Sequence, residues 1–93
     1  MGTHLADVDL VIMERALKHG LSEEQICHAW RNAVDFLAIT AEDGGTIIKA
    51  IGFDASGRGI EITARMKPFG ALVYHANTPP TQRALREFGL SRR

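Results

Sequence analysis

The chain has 93 residues, 45% hydrophobic and 24% charged, with 11 basic and 11 acidic side chains. Those proportions describe a single soluble globular domain, residues 1–93, burying roughly 60–65% of its unfolded surface and leaving no length for a second core or a cofactor domain. One cysteine, Cys27, excludes an intramolecular disulfide framework; no apolar run nears the ~20 residues of a membrane span, and Met1-Gly2-Thr3-His4 lacks a signal-peptide layout, so no membrane contact and a cytoplasmic location are expected.

From Leu5 to His19 the residues Val8, Ile12, Ala16 and His19 recur at four, four and three, the face of an amphipathic helix, and Gly20 supplies a left-handed cap. Ser22 stands three residues before Gln25, a capping box, with Leu21 and Ile26 as a hydrophobic staple. A second helix is therefore expected from Ser22, burying Ile26, Ala29, Trp30 and Ala33 and ending near Asn32 to Val34. After Val34 the period shortens: Val34, Phe36, Leu37 and Ile39 lead into Glu42-Asp43-Gly44-Gly45, a strand and a hairpin turn. Thr46–Phe53 is a second strand closed by Asp54-Ala55-Ser56-Gly57. From Arg58 to Met66, the residues Ile60, Ile62, Ala64 and Met66 alternate with Glu61, Thr63 and Arg65, giving a third strand. Ala71 to Ala76 is the fourth, and Asn77-Thr78-Pro79-Pro80 opens a last helix carrying Ala84, Leu85 and Phe88, with Gly89 at its end.

Short turns between consecutive strands favour antiparallel pairing, since parallel neighbours need long crossovers. The expectation is an α+β fold: an N-terminal helical hairpin, a four-stranded antiparallel sheet with one face under the helices and the other wet or available to a partner, and a C-terminal helix.

Charge is divided along the chain. Met1–Ile48 holds three basic residues against eight acidic ones, and Lys49–Arg93 holds eight basic against three acidic. A basic half is the footprint of a polyanion-binding face, and an acidic half suits a basic partner or merely a solvated surface. Ala16, Gly20 and Ile26 fall at helix-turn-helix spacing, but Glu23 and Glu24 would repel phosphate from that unit. Cys27, His28, His4, His19 and His75 lack metal-ligand spacing, and no P-loop, GxGxxG or GxSxG pattern occurs, so no metal and no cofactor are expected.

The basic half offers another chemistry. Metal-free RNA cleavage needs a proton acceptor for the 2′-hydroxyl, cations for the phosphate and an acid for the leaving oxygen. His75 and Glu61 suit proton transfer, with Arg65 and Arg83 as phosphate clamp, and Lys49, Arg58, Tyr74, Asn77, Thr78 and Arg86 as RNA contacts. The plainer account of alternating Arg and Glu on strands is cross-strand surface pairing.

Lys18-His19-Gly20-Leu21-Ser22, the Gly57-Arg58-Gly59-Ile60-Glu61-Ile62 turn into a strand, and Val73-Tyr74-His75-Ala76 together resemble BrnT-like toxins of bacterial type II toxin–antitoxin systems, over nearly the whole chain. The resemblance implies a RelE-like fold, translation arrest by a metal-independent endoribonuclease, and a ribbon-helix-helix antitoxin that alone contacts operator DNA. By position His19, Arg58 and His75 match the family's two histidines and turn arginine. Where many members carry an arginine this chain has Asn77, and the nearest cations are Arg83 and Arg86 beyond two prolines. The alternative is a non-enzymatic protein-interaction module, an inactive member of the family.

Overall fold

The computed structural model describes residues 4–90. The order is a 3-10 turn (Leu5–Asp7), β1 (Leu10–Ile12), a second 3-10 turn (Glu14–Leu17), α1 (Glu23–Arg31), β2 (Asp35–Thr40), β3 (Thr46–Phe53), β4 (Gly59–Lys67), β5 (Gly70–Asn77) and α2 (Gln82–Glu87). The strands form one mixed sheet in the order β1-β5-β4-β3-β2, in which β1 runs parallel to β5 and the other pairs are antiparallel.

This corrects the expected RelE-like arrangement of an N-terminal helical hairpin on a four-stranded antiparallel sheet. The segment Leu5–His19 is not a helix; it supplies a fifth strand between two 3-10 turns. The cause lies in the spacing, because residues four apart share a face in a strand as well as in a helix. Val8, Leu10 and Ile12 pack against the core while Val11 is exposed, which is strand alternation. The β-branched Val11-Ile12 pair fits a pleated surface better than a helix. With no first helix, the helix-turn-helix arrangement of Ala16, Gly20 and Ile26 is absent, although Gly20 does take a left-handed φ of 79°.

The second expected helix forms where its signals place it. Ser22 Oγ accepts from Gln25 N at 3.1 Å and Gln25 Oε1 accepts from Ser22 N at 2.8 Å, closing the capping box, and both staple residues, Leu21 and Ile26, are buried. α1 lays Ile26, Ala29 and Trp30 on the inner face of the sheet against Ile48, Ala50, Ile60, Ile62, Ala64 and Val73. The fully buried indole of Trp30 donates to Leu5 O at 2.8 Å and meets Phe36 edge-on at 5.1 Å. Arg31 Nη1 donates to Ala6 O and Val8 O, both at 2.7 Å, so the N-terminal segment is tied to α1 by an indole and a guanidinium. Gly52 has no Cβ for a reason: one placed there would collide with the carbonyl of Ala29.

The outer face is not left wet throughout, as the one-sided expectation had it. α2 is tied to it by side chains of β3 and β4: Lys49 Nζ reaches Glu87 at 2.9 Å, Glu61 accepts from Thr81 N, and Ile51 and Ala84 are buried outside the inner cluster. Thr81 caps α2 through Ala84 N at 3.1 Å. Helices thus stand on both faces, and the remaining outer surface is a trough between α2 and the second 3-10 turn. Among the described residues no helix is long and apolar enough to cross a membrane.

Candidate active site

The trough holds an open cleft of about 580 Å³. Its floor is the outer face of the central strands, with Lys49 from β3, Thr63 from β4, and Tyr74 and His75 from β5. One wall is the second 3-10 turn and its exit, Arg15, Lys18 and His19; the other is α2, with Thr81, Arg83 and Glu87.

A bulge makes this floor. Thr63 pairs with His75 but Ala64 pairs with Val73, so Tyr74 is the extra residue on β5. Val73 and Ala76 stay buried on the inner face, while the consecutive Tyr74 and His75 both reach the outer cleft. A regular strand would have turned His75 into the core, and a bulge is the usual means of re-aiming a side chain.

Around His75 the geometry is tight. Its Nε2 lies 3.3 Å from Glu61 Oε2, and Glu61 Oε1 accepts from the backbone N of Thr81 at 2.6 Å. The His19 ring stands edge-on to the His75 ring, centroids 6.2 Å apart. Arg15 lies over the Tyr74 ring at 5.5 Å. Four cations, Arg15, Lys18, Lys49 and Arg83, line the cleft, and among the described residues one carboxylate does so, Glu87, which Lys49 holds at 2.9 Å and Arg83 at 3.8 Å.

Of the residues expected to form a site, His75, Arg83, Lys49 and Tyr74 line the cleft, and Glu61 sits behind His75. Arg65 shares the outer face but lies farther along β4, its Nη1 3.1 Å from Asp43. That contact, after the Gly45 backbone N–H, holds the Asp43 carboxyl below its ordinary pKa. Arg58 is at the far end of the sheet, where its backbone N, the Ser56 hydroxyl and its own guanidinium drive buried Asp54 far below the ordinary carboxylate range. Asn77 donates to Pro79 O at 3.3 Å and Thr78 to Gly59 O at 2.6 Å, so both shape the β5–α2 connection, in which the Thr78–Pro79 peptide bond is cis. Arg86 is exposed on α2 and does not line the cleft.

The composition of the halves hid three residues. Arg15, Lys18 and His19 belong to the acidic half, yet the β1–β5 pairing carries them to the basic cleft. The sequence signal that ties His19 to a site with His75 is the Lys18-His19-Gly20-Leu21-Ser22 motif, not its charge or its place in the acidic half. Cys27 sits half-buried on α1, across the sheet, and burial chiefly pushes its thiol pKa up, away from nucleophilic chemistry. Among the described residues no three His, Cys, Asp or Glu come together to hold a metal ion.

Compared with models of known protein families, with curated proteins and with solved structures, the chain gives no match.

Proposed function

We propose that the outer-face cleft cleaves RNA without a metal, and that the protein is the toxin of a type II toxin–antitoxin pair, arresting translation and neutralised by a ribbon-helix-helix antitoxin that alone contacts operator DNA. The observation that carries this reading is the approach of two imidazoles, His19 and His75, within a cleft lined by four cations. A phosphodiester placed there touches an acid and a base at once. His75, oriented by Glu61, takes the proton of the 2′-hydroxyl, and the 2′-oxygen attacks the adjacent phosphorus. The bond to the 5′-oxygen breaks as His19 gives that oxygen its proton, leaving a 2′,3′-cyclic phosphate and a 5′-hydroxyl. Lys49 and Arg83 on one side, and Arg15 and Lys18 on the other, balance the charge gathering on the non-bridging oxygens. Glu61 supports the positive charge that His75 acquires on taking the proton.

A second reading, the non-enzymatic interaction module, draws on the other end of the molecule. β2 is an edge strand, with Ile39 on it and Val34 just before it exposed, a surface on which a partner strand could pair.

Induced expression in a bacterial host separates the two. The toxin reading expects wild type to arrest growth and fragment RNA, with His75→Ala and His19→Ala losing both effects. Harmless wild type at good soluble yield, with RNA intact, favours the module.

A further inference from the structure

We infer that the cleft is one stretch of a longer track for single-stranded RNA, in which Tyr74 stacks a nucleobase beside the phosphate held at His75, and Arg65 and Lys67 hold phosphates further along. This rests on the RNA reading above and names the form of RNA that the site takes.

A second cavity, about 450 Å³, adjoins the cleft and shares Arg15 and Tyr74 with it. Its other walls are Arg65, Lys67, Met13 and Leu72. The cationic surface therefore does not stop at the histidines; it continues past an aromatic ring to two further cations. Thr63, Arg65 and Lys67 are alternate residues of β4, so at ~3.3 Å per residue they extend about 13 Å along the outer face. That reach accommodates more than one phosphate of an extended strand.

The chemistry of the middle selects single strands. The bulge that turns His75 outward also puts Tyr74 beside it, so a ring face lies next to the reacting position. Met13 and Leu72 give a base apolar surroundings there, and Arg15, 5.5 Å over the ring, gives up that place to the base when it turns to the phosphate. A paired base has both faces covered by its neighbours; an unpaired one can leave its stack and lie on Tyr74. Arg65 is held by Asp43, but the Asp43 side chain is 67% exposed, so a phosphate can replace it at little cost.

The test is fluorescence anisotropy with labelled, non-cleavable 2′-O-methyl RNA: a dinucleotide, an octamer, and the octamer annealed to its complement. Wild type should bind the octamer at least about tenfold more tightly than the dinucleotide, and more tightly than the duplex. Tyr74→Leu should lower octamer affinity about tenfold, and Lys67→Gln should shrink the octamer-to-dinucleotide ratio towards one. Asp43→Asn, which releases Arg65, should raise octamer affinity two- to threefold, a gain that a misfolded variant cannot give. Duplex binding as tight as single-strand binding, or a ratio unchanged in both Tyr74→Leu and Lys67→Gln, overturns the track. Cleavage of an unmodified octamer is followed in parallel. Cleavage with no effect of these variants on binding sinks the track and spares the catalytic reading; Tyr74-dependent, length-dependent binding without cleavage does the reverse.

Discussion

Glu61 serves His75 with one carboxylate oxygen and α2 with the other: Oε2 lies 3.3 Å from His75 Nε2, and Oε1 accepts from Thr81 N at 2.6 Å. One side chain thus holds both the His75 ring and the helix that carries Arg83. Glu61→Gln keeps the size and an acceptor for Thr81 but removes the charge behind the imidazole. Cleavage should fall about 10- to 100-fold in kcat with KM little changed. Loss confined to KM would mean that Glu61 acts only through the position of α2.

Glu87 fills the corner of the cleft between Lys49 and Arg83, which the proposed cleavage gives to a phosphate. Lys49 contacts both of its oxygens, at 2.9 and 3.0 Å. A partly exposed pair of this kind is worth about 1 kcal/mol or less, so RNA can displace the carboxylate. Glu87→Gln should raise RNA affinity about three- to tenfold at low salt and change thermal stability little, as read by anisotropy and a melt. An unchanged affinity would show that Lys49 and Arg83 do not meet the phosphate.

The turn Asp54–Arg58 is a charge lock remote from the cleft. Asp54, 5% exposed, accepts from Ser56 N, Ser56 Oγ and Arg58 N at 2.8–2.9 Å and from Arg58 Nε at 3.0 Å. Its pKa is depressed on folding, so its contribution to stability is complete above the unfolded value of about 3.9 and is lost as pH falls below it. Chemical denaturation should show stability dropping between about pH 4 and 2, and Asp54→Asn should flatten that drop while lowering stability at pH 7. A wild-type curve flat across this window would contradict the lock.

At Gly52 the backbone of β3 packs directly against the backbone at the end of α1. A methyl there meets the backbone of Ala29 and Ala33, which no side-chain rotation relieves. Gly52→Ala should cost about 3 kcal/mol, lowering Tm by roughly 12–24 °C in a chain this size. A melt within a few degrees of wild type would show that α1 shifts without penalty.

Much of this fold was legible residue by residue. The strand expected over Thr46–Phe53 forms with those bounds, and the capping box at Ser22 starts α1 where its side chains require. Local signals sufficed there because hydrogen bonds between near neighbours, or a steady alternation, decide the structure. β1 was not legible. Three residues pairing with β5, about sixty positions away, leave only an even spacing that a helix shares. The site was legible in part. Lys49, Tyr74, His75 and Arg83 do converge, but His75 faces the cleft only through the bulge at Tyr74, which no pattern in Leu72–Ala76 announces. Arg58 read as a basic contact because its neighbour in space, Asp54, read as an ordinary turn residue.

The central claim is that His19 and His75 cleave RNA by proton transfer. It is tested most directly by the chemistry of the cut ends. Purified protein, with a chelator present, is given a short single-stranded RNA, and the products are identified by mass spectrometry for wild type, His19→Ala and His75→Ala. The account predicts 2′,3′-cyclic phosphate and 5′-hydroxyl ends from wild type, with each variant slower by ~100-fold or more. Intact RNA with folded wild-type protein, ends bearing 5′-phosphate, or a His75→Ala variant that cleaves at the wild-type rate would contradict it.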